Sequence, residues 1–270
     1  MTASTFIIGL IGVSAALSII MTAAWLVWRG SRNSGWVDTI WTFGLGLVGF
    51  AGAVTVKPMQ LQSVLVAAMA AIWALRLGSH IARRTRGITD DPRYAKLIRE
   101  WGADATSRML GLLQKQALVS IPLALSMWLA AAAPGPVHPV QAATALLIFV
   151  VAIAGEAAAD EQLRRFRHDP GNEGRICDVG LWRWSRHPNY FFEWLGWLAY
   201  PVLAIDPTGS DLWGYFALVA PLCMYWLLVY VSGIPPLKEH MLASRGDAFR
   251  KYQTATNVFF LGPRKTSTGG

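Results

Sequence analysis

Seven apolar runs limit what this chain can fold into: 6–28, 37–56, 59–79, 115–133, 139–160, 190–206 and 212–233. Each is close to the ~20 residues that a helix needs to cross a bilayer core. The expected fold is an all-α integral membrane protein, a bundle of about seven transmembrane helices in a single membrane domain over 1–270. At 54% hydrophobic and 15% charged, the chain is too apolar for an ordinary soluble domain. Its 13 tryptophans suit interfacial aromatic belts. The second and sixth runs carry Asp38 and Glu193, which make sense only facing protein or a cavity. No Lys or Arg precedes the first run, so it reads as a membrane span rather than a cleaved leader.

Charge placement predicts the topology. The net charge of +8 could indicate nucleic acid, but the basic residues sit in short blocks beside apolar runs. Segments 29–36, 80–114, 161–189 and 234–270 hold 21 of the 24 Lys and Arg. The positive-inside rule puts these segments in the cytoplasm, the N-terminus outside and the C-terminus in the cytoplasm. Nucleic-acid binding is excluded on this reading, and no protein partner is implied. Cys177 and Cys223 fall at different depths, so no disulfide is expected, and no metal-ligand spacing occurs.

Gly44-Leu45-Gly46-Leu47-Val48-Gly49 has the GxGxxG form without the strand-to-helix context of a dinucleotide fingerprint. Close packing of small residues accounts for it better. Asp38, between Trp36 and Trp41, reads equally well as a helix-start cap and as a pocket carboxylate. Trp73, Arg76, His80 and Arg84 form one stripe at helical spacing. Arg83 and Arg86 read as a snorkelling collar, and Arg76 and His80 as inward-facing. Beyond Gly87, Asp91-Pro92 opens a short charged surface helix.

The densest chemistry lies in 156–200. On a helix, Glu156, Asp160, Arg164 and Arg167 share one quadrant, and Asn189, Glu193 and Tyr200 share a face of the next helix. Between them come Arg175, Trp182, Arg183, Trp184, Arg186, His187 and Tyr190. Arginines bind phosphates through paired donors, carboxylates accept from hydroxyls and aromatic rings stack, which together fit a large, anionic, partly planar ligand. A basic cytoplasmic loop with an Asp160–Arg164 helix pair is the plainer alternative. It leaves Glu156, Asn189 and Glu193 buried without compensation.

Arg175-Ile176-Cys177-Asp178-Val179-Gly180-Leu181-Trp182, then Ser185-Arg186-His187-Pro188-Asn189-Tyr190 and Glu193, resemble the C-terminal signature of the superfamily containing steroid 5-alpha-reductases and sterol C14 reductases. Trp73-Ala74-Leu75-Arg76-Leu77, Asp91-Pro92-Arg93-Tyr94, Trp101-Gly102 and Phe249-Arg250-Lys251-Tyr252-Gln253 resemble a bacterial branch of it. The resemblance covers most of 73–262. It implies NADPH bound from the cytoplasmic side by a C-terminal half, 139–262, with substrate-side helices in 1–115. Asp160, Arg164 and Arg167 match family cofactor positions, and Asn189 and Glu193 match the pair that holds the nicotinamide end. Arg175, Trp182, Arg186, His187, Tyr190 and Tyr252 complete the implied cofactor set, with Lys238 and His240 as further C-terminal candidates. Glu156 stands where the steroid enzymes have Asn. The steroid enzymes' Gln-Glu pair is also missing: the corresponding stretch is Lys57-Pro58-Met59-Gln60-Leu61-Gln62.

The implied activity is NADPH-dependent reduction of an activated C=C bond, enone-like, in a lipid or steroid-like substrate. Asp38, His80 and Arg84 are the catalytic candidates for supplying a proton or stabilising developing charge. The implied location is a bacterial inner membrane. Two alternatives stay open. One is an S-adenosylmethionine-dependent methyltransferase resembling isoprenylcysteine carboxyl methyltransferases, which share an Arg-His-Pro-x-Tyr motif. The other is a non-catalytic lipid-binding membrane protein.

Overall fold

A computed structural model describes residues 2–87 and 90–265. Among them there are ten α-helices and no strand, only an isolated bridge between Ser185 and Asn257. Six helical segments are long and apolar enough to cross a membrane: Ala3–Ser31, Gly35–Thr55, Leu61–Arg86, Pro92–Ala131, Pro139–His168 and Trp213–Ala255. This is the helical membrane protein that the apolar runs require. The count differs from seven at the run 190–206, which forms two short helices, Pro188–Trp197 and Ala199–Ala204. Pro201 has no N–H to offer the Trp197 carbonyl, so one continuous helix is denied there.

The chain divides into two compact units. The first takes residues 1–145 and 200–220. It contains α1 (Ala3–Ser31), α2 (Gly35–Thr55), α3 (Leu61–Arg86), α4 (Pro92–Trp101) and α5 (Ala105–Ala131). On α1 the buried residues Leu17, Met21, Ala24 and Trp28 step by four, three and four, while Ile8, Ile11, Ile19 and Leu26 stay exposed. An apolar helix with an apolar exposed face is one whose other solvent is lipid. The GxGxxG glycines serve packing, as the sequence argued. A Cβ on Gly46 would lie 2.2 Å from the Ala74 Cβ, and one on Gly49 2.3 Å from the Met127 sulfur. The helix α4 starts where Asp91-Pro92 predicts, with the Asp91 carboxylate accepting from the Arg93 amide at 3.0 Å.

The second unit takes residues 146–199 and 221–270. It holds most of α6 (Pro139–His168), the charged loop, α7 (Pro188–Trp197), the later part of α9 (Val219–Trp226) and α10 (Ile234–Ala255); α8 (Ala199–Ala204) belongs to the first unit from Tyr200 on. Close approach of α6 and α7 depends on Gly155, where a Cβ would sit 2.3 Å from the Phe192 ring. Phe259 is almost fully buried among Phe191, Trp194, Tyr225 and Phe260, with ring centroids 5.2 to 6.1 Å from it. That cluster pins the C-terminal segment to α7 and α9. Cys177 and Cys223 are not joined in a disulfide.

Candidate functional site

The loop between α6 and α7 is charged, yet it is held at several points. The Trp182 indole donates to the Ala159 carbonyl at 2.9 Å, and the Leu181 amide donates to the Gln162 side chain at 2.8 Å. The Tyr252 hydroxyl donates to the Trp182 carbonyl at 2.5 Å. Trp182 and Tyr252, both expected against a cofactor, thus have their polar atoms committed to the loop. The C-terminal segment completes the clamp. The Arg186 amide donates to the Asn257 carbonyl at 2.8 Å and the Ser185 hydroxyl to the Phe259 carbonyl at 2.8 Å.

Within this frame α6 and α7 bring the predicted acidic face together. The Asn189 side-chain amide donates to the Asp160 carboxylate at 3.3 Å. Glu156 and Glu193 are 5% and 8% exposed, and Glu193 accepts from the Trp197 indole at 2.9 Å. Buried carboxylates of this kind must be paired or functional. The arginines lie apart from that face. Arg164 donates twice to Glu161 at 2.7 Å and Arg165 donates to it at 2.6 Å, all on an exposed surface. Arg167 is exposed, and Arg175 reaches the Asn172 side chain at 3.4 Å.

Arg186 and His187 have a different setting. They line a pocket of about 250 Å³ together with Lys238 and Gln253, walled by Val229, Ile234, Phe249 and Val258. His187 is 4% exposed, stacked on Tyr190 with centroids 5.4 Å apart, and its Nδ1 has no partner. Burial, reinforced by the Arg186 charge, lowers its pKa to about 3, so the imidazole is neutral at ordinary pH. The Arg186 Nε is also buried without a partner.

The catalytic candidates belong to the first unit. Asp38 accepts from the Arg93 guanidinium at 2.5 Å and from the Tyr94 hydroxyl at 3.1 Å. The Gln116 side chain in turn donates to the Tyr94 hydroxyl at 2.8 Å. Asp38 is thus an anchor joining α2 to α4, in addition to its position at a helix start. Arg84 is exposed, 3.7 Å from Asp91. Burial alone would raise the Asp91 pKa, but Arg93 and Arg84 outweigh it and hold the carboxyl below its usual range. His80 is exposed rather than turned inward. Thr85, five residues on and ~140° around the helix, is the residue that packs on α2, donating to the Gly35 carbonyl at 3.1 Å. The face carrying His80 and Arg84 turns away as a result.

Tyr94, Gln116 and Gln253 received no role from the sequence. Tyr94 could have been found as the one aromatic residue on the buried side of a strongly amphipathic helix. Gln253 had no such signal, because Arg186, His187 and Val229, which line the pocket with it, come from distant parts of the chain.

Over 100 residues the chain is 37% identical to an uncharacterized protein of the fission yeast Schizosaccharomyces pombe. That stretch is 36% of this chain and 27% of the yeast protein, so the chain spans about a quarter of the length of the curated relative that it matches. No solved structure matches the chain. Residues 24–256, which contain both the Asp38 network and the clamped Arg186–His187 loop, match the model of a family described as a protein of unknown function, DUF1295, and the chain belongs to that family.

Proposed function

We propose that this protein is an NADPH-dependent membrane reductase acting on an activated C=C bond of a lipid. The observation that carries the reading is the Asn189–Asp160 contact at 3.3 Å, flanked by buried Glu193 and Glu156. Carboxylates and an amide converging between two helices provide acceptors and a donor for a carboxamide and ribose hydroxyls, so the donor set fits the nicotinamide end of such a cofactor. When bound, the cofactor supplies a hydride.

The chain's own residues supply the rest. Asn189 and Glu193 fix orientation, with Glu193 itself held by Trp197. Phe192 and Trp197, both buried, keep water from that face. Arg164 and Arg167 stay the candidates for phosphate although they lie apart from the acidic face, and Arg164 would give up only a solvent-exposed ion pair with Glu161 to reach it. Reduction of C=C also consumes one proton. Within the first unit, the Tyr94 hydroxyl, held between Gln116 and Asp38, is a proton-bearing group whose part in turnover the Tyr94→Phe variant tests. Exposed His80 and Arg84 are weaker candidates on the same reading. The membrane assigned is the bacterial inner membrane, with the charged loops in the cytoplasm.

Thermal unfolding of the detergent-purified protein with NADPH, NADH or S-adenosylmethionine tests this. At a hundredfold excess over its dissociation constant, a ligand adds about 2.7 kcal/mol to folded-state stability. The expected result is a shift with NADPH that Asn189→Ala and Glu193→Gln abolish, accompanied by NADPH oxidation with lipid enones. A shift with S-adenosylmethionine alone would replace the reading by methyl transfer. A flat response to all three would leave a lipid-binding protein without a cofactor.

A further inference from the structure

The pocket at Arg186 and His187 includes none of Asp160, Arg164, Arg167, Arg175, Asn189 or Glu193. It is built from a different set of elements. The helix α9 ends in a wide turn over Leu227–Val231, closed by the Ser232 amide on the Leu227 carbonyl at 2.8 Å. Wide turns of this kind recur at functional positions in helices. At Gly233 a Cβ would lie 2.4 Å from the Leu228 carbonyl oxygen, so the chain passes tightly here before α10 restarts at Ile234-Pro235. Val229 and Ile234, on either side of this break, form part of the apolar wall, and Phe249 of α10 forms another part.

The polar side is cationic and lacks a counter-charge. No carboxylate lies within ion-pair distance of Arg186 or Lys238 among the described residues, whereas Arg93, Arg164 and Arg264 each have one. His187, more than nine-tenths buried, presents an unpartnered Nδ1, and the Arg186 Nε is buried and unpartnered. Buried nitrogens without partners are costly and mark where a ligand or water must be accepted. Just beside Val229, Tyr230 and Val231 are exposed, as are Leu222 and Trp226 on the same membrane-crossing segment.

We infer that this pocket binds the phosphate head of an anionic membrane lipid. Arg186 and Lys238 supply the charge, and Val229, Ile234 and Phe249 contact the first carbons of the lipid. At about 250 Å³ the pocket lies below the usual range for a whole small-molecule ligand, so it suits one phosphate and a short apolar stretch rather than a dinucleotide. Basic pockets at the ends of membrane helices are established sites for acidic lipid heads. The inference takes Arg186 and His187 out of the implied cofactor set and uses neither the acidic face nor the cofactor, so it and the reductase reading can fail separately.

The test places the full-length protein in phosphatidylcholine nanodiscs and follows its tryptophan emission. The titrants are short-chain phosphatidic acid, short-chain phosphatidylcholine, inorganic phosphate and NADPH. Phosphatidic acid is expected to bind saturably and at least tenfold tighter than phosphatidylcholine or inorganic phosphate. Lys238→Gln should weaken it about fivefold, the share of one basic residue near a membrane surface. Because Lys238 is exposed, its replacement leaves folding intact; Arg186→Lys serves as a second variant, which keeps the charge and removes the Nε. Three results would overturn the inference: equal affinity for phosphatidic acid and phosphatidylcholine, inorganic phosphate binding as tightly as the lipid, or NADPH displacing the lipid. Lipid binding retained with no NADPH binding anywhere would sink the reductase reading and leave this one intact.

Discussion

Two polar clusters in this protein are built from similar residues and end in opposite states. In the first unit, Asp38 has Arg93 at 2.5 Å and Tyr94 at 3.1 Å, and Tyr94 also accepts from Gln116. In the second unit, His187 and the Nε of half-buried Arg186 are out of solvent, and each residue keeps a nitrogen without a partner. Satisfied donors and acceptors stabilise the fold that holds them, whereas unsatisfied ones cost stability until something binds. On that contrast the Asp38 cluster is an anchor for α4, available for proton transfer only if it opens. The Arg186–His187 pocket is a site held open by its surroundings.

The largest effect should come from removing what holds it open. Phe259 is 1% exposed, and its carbonyl accepts from the Ser185 hydroxyl. Phe259→Ala should cost about 3–5 kcal/mol, read as a drop in the detergent melting temperature. Phe259→Leu, which retains most of the volume, should recover more than half of that. If the two variants melt together, the aromatic cluster is not what clamps the Arg186 loop, and the rigid pocket loses its physical basis.

Much of this was legible in the sequence, for identifiable reasons. The start of α4 at Asp91-Pro92 and the small residues Gly46 and Gly49 depend on short-range rules, and so do the Glu156/Asp160 and Asn189/Glu193 faces taken one at a time; their meeting is a tertiary contact. The break in the run 190–206 was written there as Pro201, but hydropathy outweighed it. Exposure of His80 depends on which side of α3 meets α2, and periodicity alone cannot choose between sides. The pocket was the least legible feature, since Arg186 lies more than fifty residues before Lys238 and Gln253 and meets them only past the wide turn and the break at Gly233.

A second way to sharpen the contrast is pH. With its folded pKa lowered to about 3, His187 stays neutral while the unfolded chain takes up a proton near the ordinary histidine value of 6.5. The stability linked to it is whole above pH 6.5 and declines as pH falls, by about 1.4 kcal/mol per unit below that value until pH 3. Asp91, whose pKa is lowered too, adds a loss of the same sign only below its ordinary 3.8. Melting curves between pH 7 and 4.5 therefore read His187 as the difference between the protein and its His187→Gln variant, whose curve should be the flatter one. An unchanged slope in that variant would mean that the imidazole is not buried neutral, and the pocket's second unpartnered nitrogen would be lost with it.

The smallest effect tests the anchor. Tyr94→Phe removes one hydroxyl, leaving Asp38 Oδ1 and the Gln116 amide each short of one partner while Arg93 remains. Asp38 is only partly buried, so water can take over some of the loss, and a cost of about 1 kcal/mol is expected. Asp38→Asn in the same background separates the two roles of the tyrosine. If Tyr94 only anchors α4, the second change should add less than it does alone, because the contact it breaks is already half gone. If NADPH oxidation falls far more than stability in Tyr94→Phe, while Asp38→Asn shifts the pH profile of that oxidation, then the cluster opens during turnover. In that case the contrast between a closed anchor and an open site describes only the resting protein.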